Sequence, residues 1–234
     1  MPAHPTKSPS AAARLHALVP CAGSGSRAGT EGPKQYEPIA GRALVLHTLA
    51  AFAQVQRLAT VLVVVAPDDT RLASGSGYTV AACGGATRAA TVGNGLAELL
   101  RRGASEDDWV LVHDAARCLI TRAWIDRLID ACQGDAVGGL LAQPLADTLK
   151  QEEGGRAVAT LPRQQKSLAQ TPQMFRLGLL RRALAQAGDA VTDEASAIEA
   201  LGLQPLLVAG SAQNFKVTWP EDFAVAEAVI RSRQ

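Results

Sequence analysis

The chain predicts an α/β fold: a mainly parallel twisted sheet with helices on both faces and a protruding β-arm. Three observations lead there. Residues 61–66 are a continuous apolar, largely β-branched run, the pattern of a strand covered on both faces. Such runs alternate with segments of helical periodicity, which implies crossover connections and parallel pairing. The first apolar run, 15–19, opens into a glycine-rich loop before the next helix, so a ligand site is expected at the carboxyl ends of the strands.

The elements follow in order. Residues 15–19 read as a strand and 43–53 as a helix. A second buried strand at 61–66 is followed by a third at 78–83, which ends at Gly84-Gly85. Residues 86–102 have helical spacing, with Val92, Leu96, Leu99 and Leu100 on one face. The run 109–113 is another strand. Thr121 can cap a helix to Cys132 that turns Trp124, Ile125, Leu128 and Ile129 inward. A strand returns at 136–142. From 144 to 165 the pattern becomes strand, turn, strand, with Glu152-Glu153-Gly154-Gly155 at the turn. That arm has too little apolar surface to stand alone in water, and a second subunit is the simplest thing for it to pack on. Residues 168–175 lead back to the sheet. A helix at 177–187 ends at Gly188, another opens after Thr192 and runs 194–201, strands are expected at 206–208 and 214–217, and Pro220 starts a final helix as a favoured first-turn residue. Residues 1–13 read as a tail of Pro, Ser and Ala with no apolar run, and 14–234 as a single domain.

Composition narrows the function. Lys plus Arg is 23 and Asp plus Glu is 22, a balance that argues against a general nucleic-acid or membrane-surface role. Aromatic residues are only 4%, too few for base-stacking platforms. Cys21, Cys83, Cys118 and Cys132 are scattered, without a C-x-x-C pair, which excludes zinc-finger spacing and suits the reducing cytoplasm. No stretch approaches the roughly 20 apolar residues of a membrane span.

The chemistry concentrates in 19–35. Gly23, Gly25, Gly29 and Gly32 let the backbone curl closely around a ligand, and successive N–H groups in such a loop make an anion-binding concavity. Arg27 and Lys34 add two cations, which suits a triphosphate. Gly-x4-Gly-Lys-[Ser/Thr] is absent, so this is not a P-loop. Gly23, Gly25 and Ala28 approximate the dinucleotide fingerprint, but residues 41–48 contain no acidic residue to hold a ribose. The segments 84–88, 113–117 and the region of Lys216 also follow expected strands and are expected to converge on the same rim. Asp114, at a strand end, is a candidate for sugar hydroxyls, for the neighbourhood of a metal, or for a structural cap. His113 reads as a satisfied core histidine. Ser196 beside Glu194 has no histidine nearby in sequence, which argues against a hydrolase triad.

Eight blocks in register carry a family resemblance: Pro20 to Arg27, Pro33 to Tyr36, Gly84-Gly85 with Arg88, Val112 to Arg117, Asp147-Thr148, Gln170 to Gln173, Thr192 to Ser196, and Asn214 to Thr218. In this order they resemble the 2-C-methyl-D-erythritol 4-phosphate cytidylyltransferases of non-mevalonate isoprenoid biosynthesis, over about residues 14–232. The resemblance implies a Rossmann-like α/β fold, transfer of CMP from CTP to methylerythritol phosphate with release of pyrophosphate, Mg²⁺ accompanying the nucleotide, and a homodimer that exchanges its β-arms. It implies that Arg27 and Lys34 stabilise the transition state. Arg163, lent by the neighbouring subunit, and Lys216 would hold the attacking phosphate. Pro20, Cys21, Ala22, Gly23, Ser24, Gly25, Gly85, Ala86, Arg88 and Thr91 would bind CTP. Asp114, Ala115, Thr148, Thr171 and Thr192 would bind the polyol phosphate. Metal ligands are not assigned. Ala86 stands where the family commonly has an acidic residue, and Cys118 where it commonly has proline. Transfer to another polyol phosphate, such as ribitol 5-phosphate, is the rival within the class; a catalytically silent nucleotide-binding protein is the rival outside it.

Overall fold

The alternation expected from the sequence is present, with two departures that shape the site. The computed structural model describes residues 12–23, 28–30, 32–188 and 191–233. The chain begins with β1 (Leu15–Pro20), then a small hairpin of β2 (Pro38–Ile39) and β3 (Arg42–Ala43), and then α1 (Leu44–Ala53). Next come β4 (Leu58–Val64), β5 (Thr79–Ala81), α2 (Arg88–Arg101), β6 (Trp109–Val112) and α3 (Arg122–Cys132). The second half holds β7 (Gly138–Pro144), β8 (Leu149–Glu153), β9 (Arg156–Leu161), β10 (Ser167–Arg176), α4 (Leu177–Ala187), α5 (Glu194–Ala200), β11 (Leu206–Ala209) and α6 (Pro220–Ser232).

Seven strands form the central sheet in the order β11-β7-β10-β6-β1-β4-β5. β10 runs antiparallel to both β6 and β7; the other neighbours are parallel. α1 and α3 cover one face, where Val45, Leu49 and Phe52 meet Ile125, Leu128 and Ile129. α2, α4 and α5 cover the other, where Val92 and Leu96 pack with Leu177, Leu180 and Ile198. Gly95 is needed there: a Cβ on it would come within 2.9 Å of Val64 and closer still to Leu18, so α2 lies against β1 and β4 only because this position has no side chain. α6 closes a third, smaller cluster with Ile39, Leu44, Leu119 and Val217. None of the described helices is long and apolar enough to cross a membrane.

The first departure is at 214–217, expected as a strand and found as a turn leading into extended loop. Asn214 is buried, and its amide donates to the Thr171 carbonyl at 2.8 Å, while the Val217 N–H donates to the Ala116 carbonyl at 2.9 Å. These bonds tie the segment to β10 and to the loop after β6 instead of to a sheet edge. The second is the cap of α5. Asp193, not Thr192, is the cap, and its side chain and that of Ser196 exchange hydrogen bonds with each other's backbone N–H groups. Thr121 does occupy the cap position of α3, but its side chain makes no capping bond. β8 and β9 form a separate two-stranded sheet, the expected arm, with Val158 exposed upon it.

Candidate active site

The parallel strands β1, β5 and β6 run in the same direction, so the loops that follow them meet at one end of the sheet. A cavity of about 320 Å³ opens there. Its walls are Pro20 to Gly23 after β1, Gly85 to Arg88 after β5, Asp114 to Ala116 after β6, and the Lys34 and Lys216 segments, with Thr91 beneath. Gly84 makes the approach possible: a Cβ would lie 2.8 Å from the Val65 carbonyl oxygen and would press into Ala22.

The electrostatics centre on Asp114. It sits at the end of β6, buried, and its backbone N–H donates to the Thr171 hydroxyl at 3.0 Å. Its Oδ1 accepts from Arg88 Nε at 2.8 Å, and its Oδ2 lies 2.9 Å from Lys216 Nζ. Arg117 Nε is 3.8 Å from the same Oδ2. Burial by itself would raise this carboxyl, but Arg88, Lys216 and Arg117 outweigh it and hold it far below the usual carboxylate range. Arg88 is gripped from its other side by Glu194, whose two oxygens accept at 2.6 and 3.0 Å. Burial pushes the Glu194 carboxyl up against the pull of Arg88. Three cations thus share two carboxylates, which leaves net positive charge at the rim of the cavity.

The supporting residues explain how this arrangement is fixed. His113 Nε2 donates to the Arg117 carbonyl at 3.2 Å, which leaves Nδ1 to accept from the Thr171 hydroxyl at 3.0 Å. Burial lowers its pKa to about 3, so it stays neutral and structural. Arg117 Nη1 donates to the Asn214 carbonyl at 2.7 Å and so ties the β6 loop to the segment carrying Lys216. Lys34 Nζ donates to the Val217 carbonyl at 2.6 Å, which brings it beside that segment, 183 residues away in sequence. Thr91 accepts from the Gly85 N–H at 3.1 Å and donates to the Thr87 carbonyl at 2.9 Å.

The structure therefore gathers Pro20, Cys21, Ala22, Gly23, Lys34, Gly85, Ala86, Arg88, Thr91, Asp114, Ala115 and Lys216 into one cavity. Ser24, Gly25 and Arg27 lie outside the described residues. Four residues do not line it. Thr171 stands behind it, holding Asp114 and His113. Thr192 is exposed in a separate small cleft with Arg88 and Glu194. Thr148 and Arg163 are exposed on the arm, and Arg163 donates to the Ala146 carbonyl of its own chain. Gln35 and Glu194 are not among the site residues expected from the sequence, and Arg117, within the 113–117 segment expected at the rim, has no role assigned there. Glu194 meets Arg88 across 106 residues, so no local pattern signals it.

A strand-end cavity of bare backbone and small side chains, rimmed by cations and offering, among the described residues, no nucleophile poised for attack, belongs to a nucleotidyltransferase. Cys21 accords with this: burial pushes its thiol up to about 12. The family model of 2-C-methyl-D-erythritol 4-phosphate cytidylyltransferase, IspD, matches residues 15–232, and the chain belongs to that family. It is 65% identical to a bifunctional IspD/IspF enzyme of Albidiferax ferrireducens over 94% of this chain. The chain spans about half of that relative's length, 54%. It is also 54% identical to a 2-C-methyl-D-erythritol 4-phosphate cytidylyltransferase of Burkholderia multivorans, covering 93% of this chain and 96% of the relative. A crystal structure of 4-diphosphocytidyl-2C-methyl-D-erythritol synthase superposes with a TM-score of 0.84 at 42% identity, covering 93% of this chain and 99% of the other.

Proposed function

We propose that the cavity transfers CMP from CTP to 2-C-methyl-D-erythritol 4-phosphate. A phosphate oxygen of the polyol phosphate attacks the α-phosphorus of CTP. The bond from that phosphorus to the bridging oxygen breaks, and pyrophosphate leaves with the electron pair. Both reactants are anions, and negative charge builds on the equatorial oxygens, so catalysis consists of positioning and cationic stabilisation. Lys34, Lys216 and Arg88 supply that charge from the cavity lining, and Arg27 adds to it from the glycine loop. No general base is needed, which agrees with a neutral, buried His113. The observation that carries the reading is the convergence of Lys34 and Lys216 on the cavity that Gly85 also lines.

CTP enters as its Mg²⁺ complex, the ion riding on the phosphates as part of the substrate. Both oxygens of Asp114 already face cations, which favours a protein role in holding Lys216 and Arg88 over one in caging the metal. The chain works as a homodimer through its arm, with Arg163 reaching the partner's cavity. The support is the arm itself: a two-stranded sheet is marginal alone in water, and Val158 is 51% exposed on it. We place the enzyme in the cytoplasm, where its four free cysteines stay reduced.

The test of the reaction is the product. Incubating CTP, Mg²⁺ and a panel of polyol phosphates and following ³¹P resonances should give a cytidine diphospho-sugar alcohol fastest from methylerythritol phosphate; a faster product from ribitol 5-phosphate would reassign the acceptor. The arm is tested by mixing Arg163→Ala chains with Lys34→Ala chains. Activity returns in heterodimers when the site is shared, and no recovery despite confirmed subunit exchange rules sharing out.

A further inference from the structure

The turn that carries Lys34 does more than present that lysine. It is one turn of 3₁₀ helix, Lys34–Tyr36, and its three side chains each bind a different loop. Lys34 reaches the Val217 carbonyl, and Tyr36 donates to Asp69 Oδ2 at 2.9 Å in the loop after β4. Gln35 points inward, 5% exposed, and its Nε2 donates to two carbonyls at once: Cys21 at 3.0 Å and Gly23 at 2.9 Å. Both hydrogens of that amide are thereby spent on the backbone of the β1 loop.

This has a geometric consequence for the cavity wall. A trans peptide is planar, so its carbonyl and the N–H that follows point in opposite directions. Fixing the Cys21 carbonyl therefore also fixes the direction of the Ala22 N–H. Gly23 has no side chain to limit its torsions, and a fixed carbonyl compensates for that freedom. Ala22 and Gly23 both line the cavity. We infer that Gln35 is a positioning residue for nucleotide binding: it too lines the cavity, but its amide, spent on two carbonyls, acts by setting the backbone donors of the β1 loop that grip CTP. The inference rests on the cytidylyltransferase reading above.

Chemistry separates this role from plain packing. Gln35→Met keeps volume and removes both donors, stranding two carbonyls. Gln35→Glu sets a carboxylate against two carbonyl oxygens; burial there raises its pKa, and once protonated its hydroxyl restores one donor. The experiment measures KM for CTP and for methylerythritol phosphate separately, with Mg²⁺, in wild type and both variants from about pH 6.5 to about pH 8.5. Gln35→Met is expected to raise KM for CTP about tenfold to a hundredfold, as for unsatisfied buried acceptors, while KM for methylerythritol phosphate stays within about twofold. Gln35→Glu is expected to recover CTP affinity several-fold toward low pH, a trend absent from wild type and Gln35→Met. A CTP KM within about twofold of wild type in both variants, or equal loss toward both substrates with no recovery in acid, overturns the assignment. Should the variants not fold, side-chain ¹⁵N-labelled glutamine in the wild-type protein decides it. The Gln35 amide protons should exchange slowly and shift with CTP, and fast exchange with no response to CTP overturns it. Wild type comes first: no turnover at all refutes the cytidylyltransferase reading, whereas active wild type with indifferent variants refutes only the role of Gln35.

Discussion

Arg88 joins two carboxylates that lie 26 and 106 residues from it, and cutting that junction has a calculable cost. The Glu194 side chain is 1% exposed and Arg88 28%. Removing one member of a buried ion pair costs about 3–5 kcal/mol, because the other charge stays behind without its counter-ion. Glu194→Gln falls at the lower end, about 3 kcal/mol: the amide oxygen still accepts one guanidinium N–H, while the amide NH₂ meets the other donor to donor. Arg88→Met costs more, about 4–5 kcal/mol, since it strands Glu194 completely and leaves Asp114 to Lys216 and Arg117. Making both changes strands no charge at 194, so the double variant should lose about 2 kcal/mol less than the two single losses combined. Urea unfolding of the four proteins at neutral pH reads these values directly, given a constant dependence on denaturant. Losses that add to within about 0.5 kcal/mol would mean that the two side chains act independently and would refute the proposed coupling.

Three other outcomes follow from the same geometry. Lys34→Ala should lower kcat about a hundredfold, on the order of 3 kcal/mol of transition-state stabilisation, while the calorimetric Kd for CTP changes much less; equal losses would reduce Lys34 to simple charge attraction. Gly138, at φ +106°, lies against the Met174 carbonyl, so Gly138→Ala should cost about 3 kcal/mol at the β7–β10 junction, and an unchanged melting temperature would contradict this. Asp108 is buried, and although burial opposes it, the Ser105 and Arg14 N–H groups, His16 and the Arg14 charge hold its carboxyl at about 2, below its unfolded value of 3.8. A depressed carboxyl gives stability that is complete above the unfolded pKa and vanishes as pH falls through the folded one. About 2 kcal/mol should therefore disappear between about pH 4 and pH 2, and the loss should be missing in Asp108→Asn when unfolding free energy is followed against pH.

What the sequence made legible was whatever rests on local chemistry. The β-branched run around Val61 to Val64 marks a strand buried on both faces, Gly188 stops α4, and Pro220 opens α6. The glycine loop after β1 and the strand ends at Gly85 and Asp114 placed most of the cavity. The misreadings share one physical cause: a long-range bond outweighed a local pattern. The spacing of Phe215 and Val217 imitates a strand, but Asn214 is buried to satisfy the Thr171 carbonyl. Thr192 and Asp193 are both good caps by type, and Gln173 favours Asp193 by donating to its Oδ2 at 2.8 Å and accepting the Ala195 N–H. Thr171 carries a hydroxyl of the right kind for a ligand, yet Asp114 and His113 use it. The hairpin of β2 and β3 has two residues in each strand, too few to show a period.

The central claim is that one cavity brings two phosphoryl compounds together for exchange. Pyrophosphate released by the purified wild-type protein with Mg²⁺ measures it most directly. Release should require CTP and methylerythritol phosphate together and be negligible with either alone. Release from CTP alone, or none with both present, would contradict it.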